Sequence, residues 1–213
     1  MAAGLDDVTR LHVEKAVDAL AEEFGGTASR EEIATLMDDS LRQLVRDAEV
    51  NDFVATLARR FTRERLMAQG HRSLVTGAGT VTPAVLFLGL HDTGRGQMAA
   101  ALAQQRSEGR IVVHSAGNDP TATIDPTVQE VMSEAGIDLS EAYAKPVSPE
   151  VLGAVDVVVT LGRTVELVEL PETARHEDWR VGDPAGAPVD EVRRVRDDIA
   201  RRVDELLADV IRV

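Results

Sequence analysis

The sequence predicts an α/β protein, with an open parallel four-stranded sheet covered by helices on both faces, preceded by a three-helix bundle. Three observations carry that expectation. Residues 5–68 hold three stripes of apolar residues at helical spacing, whereas from residue 84 onward short apolar runs of strand length alternate with helical stretches. Between them lies HRSLVTGAGTVTP, rich in Gly, Ser and Thr and without periodicity. The implied division is a bundle over residues 1–70, a linker over 71–83 and an α/β domain over 84–213.

In the bundle, Val13, Val17, Leu20 and Phe24 recur at spacings of 4, 3 and 4. Ile33, Met37, Leu41 and Leu44 form a second stripe, and Phe53, Leu57 and Phe61 begin a third. Such spacings place the side chains on one helical face. Gly25-Gly26 ends the first helix, and Ser29 with Glu32 three residues on is a capping box for the second. The polar stretch Arg46 to Asn51 separates the second helix from the third.

In the α/β domain, Ala84–Leu90 reads as a first strand, Arg95–Ser107 as a helix, Arg110–Ala116 as a second strand and Pro126–Ala135 as a helix. Ala154–Leu161 reads as the third strand and Glu177–Val181 as a short fourth. A last helix over Val189–Arg212 carries Val192, Val195, Ile199, Val203, Leu206 and Val210 on one face. Short apolar strands alternating with helices argue for parallel strands buried on both sides.

Composition excludes several classes. A chain of 213 residues with 44% hydrophobic and 28% charged residues can bury a core of its own. No apolar run approaches the ~20 residues that span a bilayer, so no membrane association is expected. The start, MAAGLDDVTRLHVEKAVDAL, lacks the basic segment and continuous apolar core of a signal peptide, which makes the cytoplasm the expected compartment. A net charge of −14 spread along the chain does not make a nucleic-acid polyelectrolyte. With no cysteine in the chain, thiol nucleophiles, disulfide relays and thiolate metal sites are excluded.

The first predicted strand exits into Gly89-Leu90-His91-Asp92-Thr93-Gly94-Arg95-Gly96-Gln97, where an open α/β sheet collects its ligands. Backbone N–H groups of such a loop and the helix start at Arg95 form a cradle for a tetrahedral oxyanion, and the guanidinium adds a bidentate donor. A plain turn with Arg95 solvated satisfies the same pattern.

The strings VLFLGLHDTGRGQMAAAL, HSAGNDP, EVMSEAGIDLS, KPVSPE, DVVVTLG and EDWRVGDPAGAPVDEVRRVRDDIARRV occur in one order over Val85 to Val213. In these the chain resembles the low-molecular-weight protein tyrosine phosphatase superfamily, and within it the thioredoxin-coupled arsenate reductases. A helical bundle ahead of such a domain resembles actinobacterial relatives. The resemblance implies a site of one cysteine, five residues and an arginine, in which the thiolate attacks the oxyanion. Here the arginine is Arg95 and the position six before it is Gly89. The serine that usually follows the arginine is Gly96, and the usual loop asparagine is Asp92. The positions of the resolving cysteines hold Arg163 and Leu167, Asp183-Pro184 matches the general acid and its proline but reads equally as a turn-forming Asp-Pro ahead of the last helix, and Ala185 stands where phosphatases carry a tyrosine.

No catalytic residue is therefore expected. Gly89, Arg95 and Asp183 are vestigial positions, and Leu90, His91, Asp92, Thr93, Gly94, Arg95 and Gly96 form the anion-binding set. Asp92 has two orientations open to it: inward, bonded to the loop N–H groups and paired with Arg95, or outward to solvent. Phosphate, sulfate and arsenate are the implied ligands. No cofactor is expected, and no metal, since His91, His114 and His176 are not at ligand spacing. The function expected is that of a catalytically degenerate arsenate-reductase-like or phosphatase-like protein, binding an oxyanion or a protein partner, with partner binding or self-association assigned to the bundle. One alternative is an active arsenate reductase or phosphatase with a non-cysteine nucleophile, for which Thr93 and Ser115 lack an evident neighbouring base. A second is a DNA-binding regulator through Arg59, Arg60, Arg63 and Arg65, against which stands the acidity of the bundle.

Overall fold

A computed structural model describes residues 7–44, 52–75, 82–120, 123–162 and 169–211. The chain divides into two compact units, Met1–Gly79 and Thr80–Val213.

The first unit contains α1 (Asp7–Phe24), α2 (Arg30–Leu44) and α3 (Asp52–Val75). The first two stripes turn inward as expected: Val17, Leu20, Ile33, Met37 and Leu41 are buried, with Val13, Phe24 and Leu44 packed against them. After α1, the N–H groups of Thr27 and Ala28 both donate to the Phe24 carbonyl. At the start of α2 the capping box closes in both directions: Ser29 N–H donates to Glu32 Oε2 at 2.8 Å, and Glu32 N–H to Ser29 Oγ at 3.3 Å.

The third helix corrects the sequence assignment twice. Phe53 is 68% exposed, while Ala55, Ala58, Phe61, Thr62, Arg65 and Leu66 are buried. Residues four apart drift about 40° per step around a helix of 3.6 residues per turn, so the spacing from Phe53 to Phe61 leaves the core-facing side that the 58, 61, 65 rhythm keeps. The helix also continues through Gly70 to Val75, into the stretch assigned to the linker. One glycine in a helix costs only ~1 kcal/mol, which the flanking turns offset. The polar break 46–51 lies outside the described residues.

The arginine cluster does not form a single basic face. Arg65 is 3% exposed, its Nη1 2.8 Å from Asp39 and 3.1 Å from Ser40 Oγ, with its guanidinium over the Phe61 ring. Arg63 pairs with Glu23 at 2.6 Å.

The second unit contains β1 (Ala84–Gly89), α4 (Arg95–Ser107), β2 (Val112–Gly117), α5 (Pro126–Glu134), α6 (Pro149–Leu152), β3 (Val157–Leu161), β4 (Arg175–Trp179) and α7 (Val189–Val210). The sheet is parallel, in the order β2-β1-β3-β4. Every residue of β1 and β3 is buried, as central strands covered on both faces must be. Val85, Phe87, Val157 and Val159 share a core with Met98 and Leu102 of α4, Val128 and Met132 of α5, and the predicted face of α7.

Three strand starts shift, the third strand beginning at Val157 rather than Ala154. Glu108 and Gly109 adopt left-handed φ values of 51° and 78° after α4, and the Arg110 N–H bonds back to Ser107, so β2 starts only at Val112. The fourth strand is Arg175–Trp179 rather than 177–181: it pairs Val157 with Arg175 and Leu161 with Trp179. Its sequence, RHEDW, is polar because the strand lies at the edge of the sheet, where charge blocks further pairing. Only Trp179 turns fully inward, its ring 5.7 Å from that of Phe87. The short α6, not anticipated from sequence, is capped by Ser148 Oγ accepting from Val151 N–H at 3.2 Å.

Ser29→Ala is expected to lower the stability of the first unit by about 1 kcal/mol, read as a lower denaturation midpoint of the helical signal. The Ser29 backbone N–H, and then its hydroxyl, hold the Glu32 carboxyl below the usual glutamate range. A folded value below the unfolded one contributes stability above the ordinary glutamate range and loses it as pH falls through the lowered value. The gap between wild type and Glu32→Gln should therefore be largest at neutral pH and shrink on acidification.

Candidate functional site

The central strand β1 delivers the chain to a loop, Leu90 to Gly94, that ends in the first residue of α4. The loop is shaped by what its carbonyl oxygens bond to. Gly89, Leu90 and Thr93 accept from the N–H groups of Asn118 at 3.2 Å, Asp119 at 2.8 Å and Asp125 at 3.0 Å. In a trans peptide the N–H points opposite to the preceding C=O, so the N–H groups of Leu90, His91 and Gly94 are turned away from that segment. Gly94 caps α4 without a side-chain bond to the helix, which leaves the first-turn donors Arg95, Gly96 and Gln97 without an intrahelical acceptor.

Asp92 takes φ 55° and is 2% exposed. A left-handed conformation is open to Asp because its short polar side chain bonds locally. Its carboxylate follows neither orientation expected from sequence. It turns beneath the loop, where Oδ2 accepts from Ser115 Oγ at 3.3 Å and from the Lys145 backbone N–H at 3.2 Å. Ser115 Oγ in turn accepts from Gln97 Nε2 and from Lys145 Nζ, each at 3.1 Å. Contrary to the expectation from sequence, Ser115 does have titratable neighbours, Lys145 Nζ and Asp92 Oδ2, but the residue is only 5% exposed and all three of its hydrogen-bonding positions are taken.

Arg95 lies at the helix start with its Nη2 3.3 Å from Asp183 Oδ2 and its Nη1 3.5 Å from the Val181 carbonyl. The other Asp183 oxygen accepts from Ala185 N–H at 3.2 Å. Gly162, at φ +94°, presses its backbone against the guanidinium: a Cβ there would come within 2.9 Å of Arg95 Nη1. A Cβ on Gly94 would sit 2.9 Å from Pro184 Cγ, so the Asp183-Pro184 turn rests directly on the loop. His91 is exposed at the rim, its Nδ1 2.8 Å from the Asp119 carbonyl. A carbonyl only accepts, so Nδ1 carries the proton. Thr93 contributes its carbonyl, Gly96 is buried with its Cβ position 3.2 Å from Asp92 Oδ1, and Gly89 is buried yet a Cβ on it would meet nothing within 4 Å.

The residues that sequence reasoning marked, from Gly89 to Gly96 together with Asp183, thus come together in one place. Arg163 and Leu167 lie outside the described residues. Lys145, Gln97, Gly117 and Gly162 were not singled out. Lys145 is one of only two lysines in the chain, but nothing along the sequence marks it as buried, which it is in the structure.

The family profile described as low molecular weight phosphotyrosine protein phosphatase matches residues 84–212, and a second, described as the N-terminal domain of protein-tyrosine-phosphatase-like proteins, matches residues 13–70. The chain belongs to the low molecular weight phosphotyrosine protein phosphatase family. It is 37% identical over 126 residues to a putative arsenate reductase of Halobacterium salinarum, covering 56% of this chain and 87% of that protein. Among solved structures, a thioredoxin-dependent arsenate reductase of Corynebacterium glutamicum aligns with a TM-score of 0.80 at 28% identity, over 93% of this chain and 96% of that one. An arsenate reductase in a phosphate-binding state aligns with a TM-score of 0.54 at 31% identity, over 60% of this chain and 98% of that one. This member of the phosphatase family has no cysteine, so the family's thiol nucleophile is absent from it. Among its described residues no helix is long and apolar enough to cross a membrane.

The end of β2 must pass close under the loop. A Cβ on Gly117 would lie 2.8 Å from the Leu90 carbonyl oxygen and 3.0 Å from the Asp92 nitrogen. Gly117→Ala is expected to cost about 1–3 kcal/mol of stability, as overpacking does, whereas Gly89→Ala, whose Cβ meets nothing within 4 Å, should cost less. Thermal denaturation of the two variants provides the comparison.

Proposed function

We propose that this chain is a non-enzymatic, oxyanion-binding member of the family, in which Gly89 occupies the nucleophile position and residues 90–96 retain the cradle. The orientation of the loop peptides carries this reading. Carbonyls bonded to Asn118, Asp119 and Asp125 leave N–H groups on the opposite side, where they join the α4 N-terminus and the Arg95 guanidinium. Each of these favours an anion, the helix end by roughly 0.3–1 kcal/mol when exposed. None of them depends on a thiol. Phosphate, arsenate and sulfate share the tetrahedral geometry that such donors recognise.

Binding without turnover follows from the chemistry at Gly89. Hydrogen is not a nucleophile, so no covalent phosphoryl or arsenyl intermediate forms. Ser115 is buried and saturated with hydrogen bonds. Asp183 is exposed and already paired with Arg95, a contact that an incoming anion replaces. The first unit is assigned to partner binding or self-association, a role consistent with the exposure of Val8, Leu11, Phe53 and Met67 on its helices.

Inorganic phosphate should bind the wild type in the millimolar range, which corresponds to ~4 kcal/mol, and should not bind Arg95→Ala measurably in the same titration. Neither arsenate with a thioredoxin or mycoredoxin system nor an aryl phosphate should be turned over. Turnover that disappears in Arg95→Ala would overturn the reading. Because a Cβ fits at Gly89 without a clash and its φ is not left-handed, Gly89→Cys should gain a phosphocysteine adduct with an aryl phosphate, detected by intact mass. A folded variant that forms no adduct argues against Gly89 as the nucleophile position.

A further inference from the structure

Beneath the loop a buried acid and a buried base share one hydroxyl. Asp92 is 2% exposed and Lys145 9%. Lysine and aspartate are seldom buried unless paired. The Ser115 hydroxyl has one proton and two lone pairs. Gln97 Nε2 and Lys145 Nζ donate to its oxygen at 3.1 Å, so its proton is directed to Asp92 Oδ2 at 3.3 Å. The backbone N–H of Lys145 reaches the same carboxylate oxygen at 3.2 Å, and the Lys145 ammonium lies 5.0 Å from the centroid of the Tyr143 ring. Gln97 donates in addition to the Tyr143 carbonyl at 3.2 Å, which ties the junction to α4. The carboxylate lies directly under a cradle meant for an anion, where its charge, uncompensated, would repel the ligand through a low-dielectric layer.

We propose that Lys145 is a positioning residue that neutralises Asp92 through Ser115, so that the loop above keeps a net positive field and the balance of this pair sets its affinity for a phosphate-like oxyanion. The proposal rests on the oxyanion-binding reading of residues 90–96. It places the control of affinity on a residue more than fifty positions downstream of the loop, brought there by the segment after α5.

The test is calorimetric titration of the full chain with inorganic phosphate, for wild type, Asp92→Asn, Lys145→Gln and the double variant. Asp92→Asn should bind about threefold tighter, Lys145→Gln about tenfold weaker, equivalent to ~1.4 kcal/mol, and the double variant within about threefold of wild type. A network that only holds the loop in shape would instead weaken binding in both single variants and most in the double, and that pattern overturns the proposal. If Lys145→Gln fails to fold, a double variant that folds and binds like wild type supports the charge balance, and one that also fails to fold refutes it. If no protein in the set binds phosphate, the oxyanion reading falls, and thermal melting decides the pairing separately. Single variants that each lose more stability than the double show coupling, and additive losses exclude it.

Discussion

Three carbonyl oxygens of the loop after β1 bond to N–H groups of residues 118, 119 and 125, and the face that the loop presents is a consequence. The parallel pairing of β1 with β2 brings Gly89 opposite Gly117, so the chain leaving β2 runs alongside the chain leaving β1. That proximity is possible because Gly117 has no Cβ to strike the Leu90 carbonyl. Once the carbonyls are committed, planarity of the peptide group turns the N–H groups the other way. The start of α4, Arg95 and the Asp183-Pro184 turn then assemble around them, with Gly94 admitting Pro184 and Gly162 admitting the guanidinium.

The parts of the site that recognise an anion and the part that makes a bond to it are physically separate. On the reading proposed above, recognition uses backbone dipoles, a helix terminus and a guanidinium, none of which is a thiol. Bond-making needs a nucleophile, and a chain without cysteine has lost the one its family uses. Gly89, the last residue of the buried strand β1, has room for a Cβ, with nothing within 4 Å of that position. A site of this kind can keep its affinity and its specificity for shape while its chemistry is gone.

Buried charge recurs in both units with the same solution. Arg65 is placed inside the bundle, where Asp39, Ser40 and the Phe61 ring receive its guanidinium. Lys145 is placed under the loop, where Ser115 and the Tyr143 ring receive its ammonium. In each case a hydroxyl accepts from the cation and an acid lies within the same network. A buried ion unaccompanied by such partners would cost several kcal/mol, which is why neither cation can be read as a surface charge.

Sequence periodicity by itself determined the order of the elements apart from the short α6, the parallel sheet, the first two helical faces of the bundle and the position of the loop, because each is written in residues close along the chain. The spacing of Val192 to Val210 identifies the buried face of α7, and VLFLGL followed by a glycine-containing turn identifies β1 and its exit. The absence of cysteine decided the loss of the thiol from composition alone. Where local signals are weak, the reading failed. The edge strand RHEDW carries no apolar run, and the drift of Phe53 off the core becomes visible only when α3 is packed against its neighbours. What only the tertiary structure decided is where Asp92 sends its carboxylate. The residues that answer it, Ser115 and Lys145, lie on a different strand and on a later loop. Hydrogen-bond partners brought together by strand pairing have no fixed spacing in sequence, so no pattern along the chain could have named them.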